Sequence, residues 1–212
     1  MEKEEVMPTY PETSKKLKRS WNRNAGMYDL MSLPMERHMG FAKARARLFE
    51  GLSGKVLELG VGTGRNIPLY PKGMKVIAID ISKNMLARAV DKAQGLSLAV
   101  PFAVADVEDL PFKSGSFDAV VGTGVFCCVP DQVRGFSEVR RALKKGGKVI
   151  LMEHIRPKGL LGRIFDFIDP VVSRLMGPHI NRQTLESVKE AGFTIVKEED
   201  LFSDWVKSIV AL

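Results

Sequence analysis

The chain has 212 residues, 45% apolar and 27% charged, with 19 Gly, 11 Pro and two Cys. That length suits one domain with an appendage, buries a sizeable core, and with this composition excludes a wholly disordered chain. The net charge of +7 comes from 32 Lys and Arg against 25 Asp and Glu, an excess compatible with nucleic acid, an anionic membrane surface or neither, so its distribution matters more than its sum.

The first residues, Met1-Glu-Lys-Glu-Glu, are acidic and lead into no apolar stretch, so no secretory leader is expected. The densest basic cluster follows at Lys15-Lys16-Leu17-Lys18-Arg19. It reads either as a solvated helix face or as a steering surface for anionic lipid or substrate. Residues 11–50 read as two or three helices, with Trp21, Tyr28 and Asp29 at their corners. From Lys55 the pattern becomes an alternation. Near-continuous apolar runs at Lys55–Leu59, Lys75–Ile79, Ser97–Val104, Phe117–Val121 and Gly147–Met152 predict strands buried on both faces of a parallel sheet. Between them Gly64–Tyr70, Ser82–Gln94 and Asp131–Lys145 predict helices, with Ser82 and Asp131 as N-caps and Gly95 and Gly146 as stops. Lys158–Gly177 interrupts the rhythm. Its Leu161, Ile164, Phe165, Ile168, Val172, Leu175 and Met176 fall at helical spacing, and Gly159, Gly162 and Pro170 argue against one long rigid helix. Core packing, a lipid-facing helix and a partner face are all open readings of that stripe. A helix at Thr184–Ala191 and strands at Phe193–Lys197 and Trp205–Ala211 should close the fold. The longest uncharged stretches, Ala93–Ala105 and Ala119–Pro130, are shorter than the roughly 18–20 apolar residues of a membrane span. Adjacent Cys127 and Cys128 form neither a plausible disulfide nor a metal site, read best as small buried residues, and fit a reducing cytoplasm.

Strands alternating with helices predict a Rossmann-like, doubly wound α/β sheet. The layout expected is an N-terminal helical cap over 1–50 and an α/β domain over 51–212, with a hydrophobic lid at 158–180.

The sharpest signal is Val56-Leu-Glu-Leu-Gly-Val-Gly-Thr-Gly-Arg-Asn66. Gly60, Gly62 and Gly64 let the backbone turn tightly and a ligand approach closely. A dinucleotide would want glycine at the sixth position of this loop, where Arg65 stands, and would not want the carboxylate of Glu58 near its pyrophosphate. A ligand carrying a sulfonium and an ammonium would. Asp80, at the end of the second strand, suits ribose hydroxyls. Asp106, after the third, can accept from an adenine amino group, with the Val107 backbone at the ring edge. Three successive strand ends thus carry one constellation.

VLELGVGTGRN, VIAID, ADVEDLPF, FDAVVGTGVFCCVPD and LKKGGKVILMEH together resemble the class I S-adenosylmethionine-dependent methyltransferases of the type 11 group, over about residues 55–155. The resemblance implies a seven-stranded, mostly parallel sheet and the donor S-adenosyl-L-methionine, leaving as S-adenosyl-L-homocysteine. It implies Glu58, Gly60, Gly62 and Gly64 on the methionine side, Asp80 and Ile81 at the ribose, Asp106 and Val107 at the adenine, and Thr123 in the donor site. More finely, Phe117–His154, the hydrophobic insertion and Gly177-Pro-His-Ile-Asn-Arg-Gln-Thr-Leu185 resemble bacterial phospholipid N-methyltransferases and animal alkyl-thiol methyltransferases. Trp21 and Tyr28-Asp29 are similar to the N-terminal element of that subgroup and of quinone C-methyltransferases, which implies that Tyr28 covers the donor and borders the reacting groups.

The acceptor should meet Gly122–Cys128 and Glu153–His154, beyond the carboxyl ends of strands four and five. An amine or thiol protonated at pH 7 must lose its proton, which makes His154 and His179 candidate bases. Both also read as structural histidines, and Arg182 reads as a phosphate ligand, a cap or a partner of Glu186. The expected acceptor is a small or amphiphilic molecule, first a phospholipid amine, alternatively a thiol or a quinone carbon. A non-catalytic donor-binding module is the reading from another class. A cytoplasmic protein peripheral to an anionic membrane face fits these, and a nucleic-acid substrate does not, because Gly122-Thr-Gly-Val-Phe126 replaces the Pro-Pro-aromatic sequence that base methylation would need.

Overall fold

A computed structural model describes residues 12–30, 32–33, 41–176 and 178–212. Met1–Glu5, and parts of the expected 1–50 cap, lie outside them. Among the described residues seven strands form one sheet: β1 (Lys55–Leu59), β2 (Lys75–Asp80), β3 (Phe102–Val104), β4 (Phe117–Thr123), β5 (Leu143–His154), β6 (Ile195–Phe202) and β7 (Val206–Ala211). Their order is β3-β2-β1-β4-β5-β7-β6, parallel except for β7 against β5 and β6. The order reverses between β1 and β4, and that switch point is where an open α/β sheet leaves a crevice beyond its carboxyl ends.

Alternation along the strands builds two apolar faces. Leu57, Leu59, Ile79, Val120, Val149, Leu151 and Ile209 point into one cluster, closed by Phe136 and Val139 of α4 (Gln132–Ala142) and Val188 of α6 (Thr184–Glu190). The opposite face packs Val56, Val121 and Ile150 under Phe41, Ala44 and Leu48 of α2 (Phe41–Leu48), and Ala78 under Leu86 and Ala89 of α3 (Lys83–Gly95). Gly64 belongs to this packing. A Cβ there would stand 2.5 Å from Ile67 Cδ1 and 3.1 Å from the Ala89 Cα, at φ +80°. Gly64→Ala should cost about 2–3 kcal/mol through strain and overpacking, read as a lowered midpoint in chemical denaturation; an unchanged midpoint would refute the packing role.

The boundaries differ from expectation in physically instructive places. Ser82 and Asp131 do cap α3 and α4, accepting from Met85 N–H and Arg134 N–H. The left-handed residue that ends α3, however, is Ser97 (φ 55°), with its N–H on the Gln94 carbonyl, and not Gly95. This turn and Pro101 delay β3 until Phe102. Gly146 does not stop α4. Leu143 already pairs with Phe117, and Gly146 lies in an excursion of β5 before pairing resumes at Lys148. The expected helix at Gly64–Tyr70 shrinks to a 3-10 turn, Ile67–Leu69, containing Pro68. β6 runs on through Lys197-Glu198-Glu199-Asp200, an edge strand whose charged residues hide it from an apolar reading. Most clearly, the insertion is one 18-residue helix, α5 (Gly159–Met176), continuing through Pro170. Tertiary contacts offset the proline: Asp166 pairs with Arg156 (2.7 Å), Phe165 packs edge-on to Trp205, and buried Asp169 accepts from Ile180 N–H (2.8 Å). Gly162 is there because a side chain would collide with the Pro157 carbonyl.

Candidate active site

Two cavities meet over the switch point. The first, of about 670 Å³, is lined by Gly60, Gly62, Asp80, Ile81, Asp106, Val107 and Thr123, with Trp21 and Tyr28 from the N-terminal segment. Strand ends position every acid. β1 runs into the turn of Gly60 and Gly62, and β2 delivers Asp80, whose Oδ2 accepts from Gly62 N–H (2.9 Å) and Oδ1 from Ser82 N–H (2.8 Å). Burial pushes Asp80 up to about 6 against these stabilising N–H groups, so it is still mostly ionised at neutrality. Asp106 is 4% exposed; its Oδ1 accepts from Glu108 N–H (3.0 Å) while its Oδ2 is buried without a partner among the described residues. An orphaned buried carboxylate oxygen is costly, and in the wall of a cavity it fits a ligand amino group.

Glu58 and Gly64 do not line the first cavity; Glu58 borders a smaller pocket beside it, shared with Gly60, Gly62, Thr63 and Thr123. Glu58 is buried beneath the glycine turn, accepting from Asn66 Nδ2 (2.8 Å) and Tyr70 OH, and desolvation pushes it up to about 7. Both oxygens are therefore spent on the loop, and Asn66 passes the contact to Thr123 Oγ1 (2.9 Å).

The N-terminal segment closes the site from outside the sheet. α1 (Glu12–Asn24) docks on α3 through Asn22, whose Oδ1 accepts from Ser82 Oγ (2.7 Å). Asp29 accepts from Thr63 Oγ1 (2.7 Å) and Arg65 Nε (3.1 Å), and Arg65 also reaches Ser32 Oγ (2.7 Å). Arg65, too bulky for a dinucleotide turn, thus clamps the cap, its guanidinium 5.6 Å from the Tyr28 ring centre. Trp21 meets Tyr28 edge-to-face at 5.7 Å. Asp29→Ala should raise the donor KM roughly three- to tenfold, since the lost contacts are partly exposed and screened, with little change in thermal midpoint. A KM equal to wild type would disconnect the clamp from the site.

The second cavity, of about 930 Å³, shares Trp21, Tyr28, Thr123, Gly124 and Cys128 with the first and extends to Phe41, Arg45, Cys127, Met152, Glu153, His154, Pro178 and Val206. A group held here therefore lies next to the first cavity. Glu153 is 1% exposed. Its Oε1 accepts from Val125 N–H (2.8 Å) and Phe126 N–H (3.1 Å), its Oε2 is buried without a partner among the described residues, and desolvation pushes the carboxyl up to about 7. Sequence reasoning placed this residue beside the acceptor but chose its neighbour His154 as the candidate base. His154 does line the cavity, between Phe41 (ring centres 6.2 Å apart) and Trp205 (5.5 Å). His179 lines neither cavity: its Nδ1 pairs with Asp169 (2.8 Å) and its N–H donates to the Cys127 carbonyl (2.9 Å), so the structure makes it a tether for α5. Arg182 donates to the Val129 carbonyl (2.9 Å), which ties it into the fold. Cys127 is a buried free thiol beside half-buried Cys128, as expected of packing residues.

Fold and site together define an α/β domain with two adjoining cavities at the carboxyl ends of its strands. Residues 57–151 match the family described as a methyltransferase domain. The chain is 40% identical over 114 residues to a phosphatidylethanolamine N-methyltransferase of Cereibacter sphaeroides, covering 52% of this chain and 56% of that one. It is 34% identical over 158 residues to a human thiol S-methyltransferase, covering 70% and 64%. It thus spans less than two thirds of the length of either relative. A phosphoethanolamine N-methyltransferase of Haemonchus contortus, solved with S-adenosyl-L-methionine, superposes with a TM-score of 0.70 at 24% identity over 90% of this chain and 46% of that one, a likeness of fold. Over residues 57–151 the chain thus matches a methyltransferase domain, and the first cavity opens at the carboxyl ends of that domain's strands.

Proposed function

We propose that the chain transfers a methyl group to the amine of an amphiphilic, phospholipid-type acceptor held in the second cavity. The observation carrying this reading is Glu153: a buried carboxylate with one unpartnered oxygen, set in a chamber otherwise walled largely by Phe41, Met152, Val206 and Trp21. Such a site suits a molecule with one cationic end and an apolar body.

The donor supplies an electrophilic methyl on a sulfonium. Asp80, Asp106 and the glycine turn would hold it, and Tyr28 and Trp21 would exclude water above it. An ammonium acceptor cannot attack until it loses a proton. Glu153, pushed up to about 7, attracts the ammonium and takes that proton at Oε2, while His154 borders the same space. The freed lone pair then attacks in line, and the electron pair of the breaking bond leaves on sulfur. Holding the two partners in adjoining cavities supplies the positioning such a displacement needs. The 40% identity to a phosphatidylethanolamine N-methyltransferase supports the choice of an amine. A thiol is the second reading, supported by the other relative, and the same base would serve it.

Labelled donor incubated with the full chain and separate amine-lipid, thiol and quinone pools should label the amine lipid. Label confined to the thiol pool would favour the second reading, and donor binding without turnover on any pool would leave a binding module.

A further inference from the structure

Helix α5 is held to the protein by one face and leaves another with no partner among the described residues. At 100° per residue, Leu160, Leu161, Ile164, Phe167, Ile168 and Val171 fall within an arc of about 120°. All six are exposed, Phe167 by 85%, Leu160 by 72% and Val171 by 60%. This is the densest run of exposed large apolar side chains among the described residues. Isolated exposed apolar residues need no explanation, but a contiguous apolar helix face does. The contacts that fix the helix come from the other side: Phe165 on Trp205, Asp166 on Arg156, and buried Asp169 on Ile180 and His179. Both acidic residues of the helix are thereby committed to the protein. Arg163 and Arg174 instead project beside the apolar arc, where neither makes an ion pair among the described residues.

Charge elsewhere has the same sign. On α1, the exposed Lys16, Arg19 and Arg23 lie within about 60° of one another, opposite the Leu17 and Trp21 side that lines the cavities. Trp21 of α1 and Pro178, just after α5, line the same acceptor chamber, so both helices border it. An apolar arc rimmed by arginines, beside a cationic helix on a chain of net charge +7, is complementary to an anionic bilayer surface. A second copy of the chain fits less well, because a two-fold contact would bring Arg163 and Arg174 towards their own equivalents. No helix among the described residues is long and apolar enough to cross a membrane.

We propose that α5 is an interfacial anchor: its apolar arc lies in the headgroup–acyl boundary of an anionic bilayer, with Arg163, Arg174 and the cationic face of α1 on lipid phosphates. This deepens the functional reading by placing the acceptor chamber at the surface from which a lipid amine would enter, though docking itself does not require that reading.

Flotation of the full chain with vesicles of phosphatidylcholine, alone and mixed with phosphatidylglycerol, tests it. Wild type should float with the mixed vesicles, less so at high salt. The double variant Phe167→Asp, Val171→Asp should lose at least roughly tenfold in partitioning, while binding S-adenosylhomocysteine in calorimetry as wild type does, which shows that it has folded. Lys16→Glu with Arg19→Glu should remove the preference for the anionic vesicles. Failure of wild type to float, or flotation of the α5 variant equal to wild type, would overturn the proposal. So would a wild-type dimer in sedimentation that the variant dissolves without any vesicle binding. Vesicle binding that depends on α5, with no methylation of any amine lipid, would instead sink the acceptor assignment and leave the anchor standing.

Discussion

Asp80→Ala should weaken S-adenosylhomocysteine binding by a hundredfold or more. The carboxylate does two things at once. It faces the donor cavity, where a ribose would offer two hydroxyls, and it ties down the glycine turn through the Gly62 N–H (2.9 Å) and the start of α3 through the Ser82 N–H (2.8 Å). Hydrogen bonds to an ionised group contribute about 1.5–3 kcal/mol each, so losing those to the ligand, together with the order of Gly62, amounts to about 3–4 kcal/mol. Each 1.4 kcal/mol is a factor of ten. The carboxyl is pushed up to about 6 by burial, which adds a pH signature. Donor affinity in the wild type should fall as pH drops through 6, because the protonated acid accepts poorly, and Asp80→Ala should lack that dependence. Calorimetry at several pH values reads both effects, and wild-type affinity in the variant would remove Asp80 from the donor site.

The half of the candidate site lined by Gly60, Asp80 and Asp106 was legible because each of its parts is local. A strand ending in glycines, and an acid at the end of each of the next two strands, are patterns a few residues long; apolar runs such as Val56–Leu59 and Ala119–Val121 mark the strands that carry them. The acceptor half is not local. Its chamber is assembled from Trp21, Phe41, Cys127, His154 and Val206, five segments that come together only after the sheet closes. The role given to Glu153 is hidden for the same reason, although its place beside the acceptor was not. Glu153 reads as the polar end of an apolar strand, and what marks it out is that Val125 and Phe126 N–H groups, 27–28 residues away, occupy one oxygen and leave the other bare. Elsewhere the rules failed where tertiary contacts outvoted local propensity. Pro170 sits inside a continuous helix because Asp166 and Asp169 on either side are pinned by Arg156 and Ile180. β6 is charged along its length, yet Glu198 and Asp200 meet the buried Lys207 of β7 and so earn their place in the sheet.

Glu153→Gln should lower kcat on an amine acceptor by a factor of roughly 10² to 10⁴, the usual contribution of a general base, without unfolding the protein. Glutamine keeps the shape, and its carbonyl oxygen can still accept from Val125 and Phe126; what it lacks is the charge and the proton acceptor at the second oxygen. Stability should move the other way. A buried acid whose folded pKa is raised, here from 4.5 to about 7, favours the native state below its unfolded pKa and loses that contribution as pH rises through the folded value. At about 1.4 kcal/mol per unit, ionised Glu153 costs the native protein on the order of 3 kcal/mol at pH 8. Glu153→Gln does not carry that cost, so above pH 7 it should be at least as stable as wild type in chemical denaturation. The wild-type rate should rise through pH 7 as the carboxyl loses its proton, and that limb should vanish in the variant. A variant that retains both kcat and the rising limb would assign the proton to another group, with His154 the next to test; a variant that is inactive but also less stable at pH 8 would make Glu153 a support of the 124–128 turn and not the base.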